Sequence, residues 1–241
     1  MRPASSKIAI ARFIQMVALL IVTGISLARS AWASPLSYLV TINTSAVAGT
    51  SGNLDLQFNP GVLPGTQLAT ASVQSFSTNG TLGTATLTGN VTGTLPGTLS
   101  FDNQTAFNDD FQGIVFGSTI QFDLLLSGPA VLAPDGISVA GSSFGIGLWD
   151  STGLNPLLTS DPNGFAGIVN LNLDGTGTTI TFLTNSGGPP VVTFTPEVTP
   201  AVPEPGSIVL FGTGLLAIIS PLVAGRSSLW LYAAFRNKAR P

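Results

Sequence analysis

The sequence predicts an all-β fold, a single antiparallel β-sandwich of the jelly-roll kind, and three observations carry that expectation. From Leu36 onward apolar residues recur at alternate positions in short runs, the period of strands with one buried face. Gly, Pro, Asn and Asp break the runs roughly every 8 to 12 residues, as antiparallel strands joined by tight turns require. No stretch of the body keeps a 3.6-residue apolar period between helix caps, so little helix is expected there.

The chain begins with three distinct parts. Arg2, Lys7 and Arg12 precede an apolar stretch from Phe13 to Leu27, and Ala31-Trp32-Ala33 stands just before Ser34. A positive n-region, a short apolar core and an A-x-A site make a secretory signal. Residues 1–33 are therefore expected to hand the chain to the secretion translocon and to be cut off after Ala33.

The body, 34–186, follows as strands. Leu36 to Ile42 is the first. Gly52 to Phe58 sets Leu54, Leu56 and Phe58 on one face and Asp55 and Gln57 on the other, before Asn59-Pro60-Gly61 turns the chain. Ala69 to Ser77 and Thr81 to Thr88 are expected to pair as a hairpin over Asn79-Gly80, a favoured type I′ pair. Val91 to Leu99 is interrupted by Pro96-Gly97. Ile114 to Phe116, Ile120 to Leu126 and Ser138 to Trp149 are bulkier, and Ala166 to Leu173 with Thr178 to Leu183 reads as a hairpin over Asp174-Gly175. Prolines then accumulate, and 187–202 is expected to be an extended linker.

Charge is divided by region. All eight Lys and Arg lie outside 30–225, all eleven acids lie inside it, and Cys and His are absent. A body without cations cannot release counterions from a phosphate backbone, so nucleic acid is excluded as a partner. Without His, Cys or a body Lys there is no Ser-His-Asp or Cys-His machinery, no Schiff base and no usual zinc site. Carboxylate chemistry remains, but most aspartates adjoin turn residues, as in Asp135-Gly136 and Asp161-Pro162-Asn163-Gly164. No catalytic residue and no firm cofactor are expected. Asp102, Asp109 and Asp110 are the candidate ligands for Ca²⁺, an ion that would relieve repulsion in an anionic body. Asn43, Asn79, Asn90 and Asn103 stand in glycan-acceptor triplets. Trp149 is the candidate sugar platform, with a core role as its other reading.

The end of the chain, 203–241, is an address. Val202-Pro203-Glu204-Pro205 leads into an apolar run from Ser207 to Gly225 and on to Arg226, Arg236, Lys238 and Arg240. The run has no ionisable side chain and, at about 1.5 Å per residue, suits a hydrocarbon core of roughly 30 Å. The basic cluster beyond it is expected on the cytoplasmic side, with the body across the membrane. Leu229 to Phe235 adds a second apolar stretch, with Trp230 and Tyr232 as an interfacial belt.

In the order of these parts the tail resembles the PEP-CTERM sorting signal of exported bacterial proteins. That resemblance implies recognition by an exosortase-type membrane protease, cleavage near Pro203-Glu204-Pro205, and delivery to the cell surface or the extracellular polymer matrix. Through Leu36 to Thr44, Leu54 to Pro60 and Leu95 to Asn103 the body also resembles a family of PEP-CTERM proteins with no assigned activity. The expectation is a non-catalytic structural protein of the cell surface or matrix. The alternatives are a lectin-like module that binds exopolysaccharide, and then a carboxylate-based glycosidase or an ice-binding protein.

Overall fold

The computed structural model describes residues 34–197, and the signal, the sorting motif and the apolar run after Ser207 lie outside them. Twelve strands appear among the described residues: β1 (Leu36–Asn43), β2 (Ser51–Pro60), β3 (Thr70–Thr78), β4 (Thr81–Thr88), β5 (Val91–Gly93), β6 (Leu99–Asp102), β7 (Asp109–Val115), β8 (Thr119–Ser127), β9 (Ser142–Asp150), β10 (Phe165–Leu171), β11 (Gly177–Thr181) and β12 (Val192–Glu197). One helical turn, α1 (Pro129–Leu132), and a 3-10 turn at Ser45–Val47 complete the fold. None of these helices is long and apolar enough to cross a membrane.

The strands form two six-stranded antiparallel sheets, in the orders β12-β1-β8-β3-β6-β5 and β11-β10-β9-β2-β7-β4. The pairs β1·β8, β2·β7 and β3·β6 are nested, as in a long hairpin rolled into two layers. That is the jelly-roll arrangement the sequence predicts. β9 to β11 widen the second sheet and β12 widens the first.

Alternation builds the core. Leu54, Leu56 and Phe58 of β2 meet Val40, Ile42, Phe122 and Leu124 of the facing sheet, all fully buried. Phe101 and Phe144 join the two layers edge to face, with ring centroids 5.9 Å apart. Burying side chains of this size stabilises a fold by about 1.5–3 kcal/mol each. With neither disulfides nor cations in the body, this burial and the backbone ladders hold the domain.

Two expectations are corrected. The stretch around Asn79-Gly80 is not a hairpin, because β3 and β4 lie in different sheets. Asn79 instead accepts from the Ser118 and Thr119 amides and donates to Ser118 Oγ, fastening this crossing to the β7–β8 turn. The linker expected over 187–202 supplies β12, so the sandwich runs to Glu197. Val192 is buried and Phe194 meets Tyr38 edge to face at 6.4 Å. Pro196 is accommodated because β12 is an edge strand, where a missing amide donor breaks no ladder.

Candidate functional site

The densest polar chemistry in the described residues lies on the outer face of the second sheet. Alternation along β2 turns Asn53, Asp55, Gln57 and Asn59 outward, away from the Leu54-Leu56-Phe58 row. Gln57 Nε2 donates to Asp55 Oδ2 at 3.0 Å, and Asn59 Nδ2 donates to Gln57 Oε1 at 3.0 Å. Trp149 of β9 donates its indole Nε1–H to the same Asp55 oxygen at 3.0 Å.

Glycines make room for this indole. A Cβ on Gly147 would lie 2.7 Å from Trp149 Nε1, and one on Gly164, whose φ is +87°, would lie 2.4 Å from the ring. The connection from Ser151 to Gly164 runs back beside the end of β9, where Pro156 bridges Trp149. Leu157 N–H donates to Leu148 O at 2.7 Å, and Asp150 N–H donates to Asn155 O at 3.0 Å.

On the same face Asp109 of β7, opposite Gln57, comes within hydrogen-bond reach of Asp55. The Oδ1 atoms of both are buried and lack a donor. Two carboxylates offer no proton to each other, so one shared proton satisfies both. Burial pushes Asp55 upward, against the hydrogen bonds from Asp109, Gln57 and Trp149. Asp109 is pushed up to about 8, chiefly by burial and then by its bond to, and the charge of, Asp55.

Asp110 points the other way. Its register partners are Leu56 and Leu87, so it faces into the sandwich, 1% exposed, with no donor to either oxygen. Burial, and then the charge of Asp55, pushes it up to about 6.

The three candidate Ca²⁺ ligands therefore do not converge. Asp102 sits in the first sheet, where its Oδ1 accepts from Asn90 Nδ2 at 2.8 Å and Gln104 N at 2.9 Å. Asp109 faces outward and Asp110 inward. Among the described residues no group of three or more carboxylates is arranged to hold a metal ion.

The other acids are spoken for locally. Asp135 accepts from the Ser138 and Ile137 amides, Asp150 from Asn155 and Thr152, and Asp174 from Thr176; these bonds hold all three below the usual carboxylate range. Asp161 accepts from Phe165 N, and Glu197 from Ser37 Oγ. Asp123 stands between Leu39 and Gln74 with no carboxylate across from it. A hollow of about 340 Å³ beside Ser51, Thr81, Gly113 and Val115 has no ionisable side chain in its lining.

The remaining sequence candidates fall as follows. Trp149 is half-buried and committed to Asp55. Asn103 is fully buried, Asn90 is bonded to Asp102 and Asn79 to Ser118, while Asn43 stands exposed at the end of β1. The threonine-rich strands β4 and β11 occupy opposite edges of the second sheet, so their threonines do not form one continuous face. Asp55 was not a candidate by spacing. Its partners lie 54 and 94 residues away, and only the pairing of β2 with β7 and β9 brings them together.

Ala31, Ala33, Val202 to Pro205, Ser207, Gly225, Arg226, Arg236, Lys238 and Arg240 lie outside the described residues, and Ser34 is the first residue within them. Comparison with curated proteins and with solved structures gives no match. A family model, the PEP-CTERM protein-sorting motif, matches residues 201–226. This match takes in the Pro-Glu-Pro, the apolar run and Arg226, in the order the sequence places them. The chain thus carries a PEP-CTERM protein-sorting motif, which indicates a protein sorted by exosortase to the cell surface.

Proposed function

We propose that the β-sandwich is non-catalytic cargo: a structural protein of the cell surface or extracellular matrix, held in the membrane as a precursor through residues 207–225 until exosortase cuts near Pro203-Glu204-Pro205. One observation carries the non-catalytic part. Of the described acids, those close enough to act as a pair, Asp55 and Asp109, are both buried, with the Trp149 indole bonded to Asp55. A glycosidase needs two carboxylates flanking an open cleft, with room for a sugar ring between them. Here the space between the carboxyls is one proton wide.

Two measurements test the reading. Replacing Pro203, Glu204 and Pro205 by alanine should leave a tail-bearing precursor in the membrane fraction, seen by intact mass. Release of the same mature form would sink the sorting step. Incubation with extracted exopolysaccharide should release no reducing sugar; release abolished by Asp55→Asn or Asp109→Asn would make the protein a glycosidase.

A further inference from the structure

The strand directions send both ends of the described chain out of the same end of the sandwich. Leu36 opens β1 opposite Leu126, where β8 closes, and Glu197 closes β12 opposite Ser37. The β2–β3, β6–β7, β8–β9 and β10–β11 connections gather at this end as well. Three of them touch. Val139 N–H donates to Gly65 O at 2.9 Å, Gln67 Nε2 donates to Ala133 O at 3.0 Å, and a Cβ on Gly175 would lie 2.9 Å from Pro134.

This end also carries most of the exposed large apolar side chains. Ile137 is 83% and Val139 72% exposed, with Val62 and Leu173 close by and Leu63 and Phe107 exposed at the same end. Val62 and Val139 flank Gly65. An apolar cluster at loop tips, surrounded by polar groups, marks a contact surface.

We propose that in the membrane-anchored precursor this loop end rests on the lipid surface, its apolar tips at the boundary between headgroups and acyl chains. The inference rests on the membrane-anchored reading above. From Glu197 to Ser207 the chain has ten residues, which span at most about 35 Å when fully extended, so this end cannot stray far from the bilayer. Attraction by charge is ruled out, because the body has no Lys, Arg or His. What is left is burial of apolar side chains at the interface. The acids at this end set the depth. Asp135 and Asp174 are turned back into their own loops and Glu197 onto Ser37, and charge keeps them at headgroup level while Ile137 and Val139 project beyond.

The test uses the full chain, which has no cysteine of its own. Val139→Cys in the patch, Leu154→Cys at the opposite end and Leu215→Cys in the apolar run each receive one fluorophore. Each variant is reconstituted in phosphatidylcholine vesicles containing spin-labelled lipid. Position 139 should be quenched at least about two-fold more than position 154, as shallow interfacial insertion requires. Equal quenching at 139 and 154, with 215 strongly quenched, overturns the surface while leaving the anchor intact. An unquenched label at 215 overturns the anchor and the inference with it. Excimer emission from pyrene at 139 that grows with protein-to-lipid ratio would mean that a second copy covers the patch, and would overturn the lipid assignment.

Discussion

Aspartates in the turns and aspartates in the strands of this domain behave in opposite ways. Asp135, Asp150 and Asp174 accept hydrogen bonds from their own loops in full contact with water, and their carboxyls are held low. Asp55, Asp109 and Asp110 sit on strands, closed off by Trp149 or by the core, and are pushed high. In a body with no cations, the direction of each shift follows from burial set against local donors: burial raises the strand acids, and donors in the same turn lower the exposed ones. A turn supplies amide and hydroxyl donors within a few residues, whereas the amides of an interior strand are already spent on the ladder.

The largest expected effect is on stability against pH. A carboxyl raised in the folded state stabilises fully below its unfolded value, and that contribution is lost as pH rises through the folded value. For Asp109, raised to about 8, and Asp110, raised to about 6, the loss runs from about pH 4 to pH 8. The turn acids work in the opposite sense, losing their contribution only as pH falls below about 4. Calorimetry between pH 5 and pH 9 should show the melting temperature falling, with a loss of unfolding free energy on the order of a few kcal/mol after allowing for solvent screening. A midpoint that rises over this interval breaks the contrast.

Asp109→Asn should sharpen it. An amide donates to Asp55 at every pH, as the protonated acid does only below about 8. The variant should flatten the melting profile above pH 6 and stabilise the domain at pH 9 by roughly 1–3 kcal/mol. An unaltered slope would place the titration elsewhere. Trp149→Phe comes next. It removes one of the donors to Asp55 Oδ2 and should cost about 1–2 kcal/mol in denaturant unfolding at pH 5. Its effect should grow with pH, because the carboxylate needs the donor more than the acid does. The smallest effect belongs to Asp135→Asn, whose side chain can still accept from the Ser138 amide. Its melting temperature at pH 7 should be unchanged, and a clear drop would show that turn acids matter more than their exposure allows.

The fold was legible where local signals and pairing agree. Alternation placed β1 and β2, and Asp174-Gly175 marked the β10–β11 hairpin, because each depends on neighbours in sequence. Asn79-Gly80 misled because a turn dipeptide states that the chain reverses, not which sheet receives the next strand. Composition hid β12, since Pro196 reads as linker unless the strand is known to be an edge. The carboxyl pair was unreadable for a related reason. Asp55, Asp109 and Trp149 meet through strand order, which no single run of residues encodes. The tail lay open to sequence because its three parts are contiguous and depend on hydropathy and charge alone.

The position of β12 has a mechanical consequence. The sandwich's last strand is an outer one, paired only with β1, and its C-terminal residue sits beside the first residues of that neighbour. A pull on the chain beyond Glu197 therefore loads the β12–β1 rungs singly, beginning at Ser37 and ending at Ile42. Such a geometry peels at low force instead of resisting in shear, and a tether under tension would give way at this seam before the other eleven strands part.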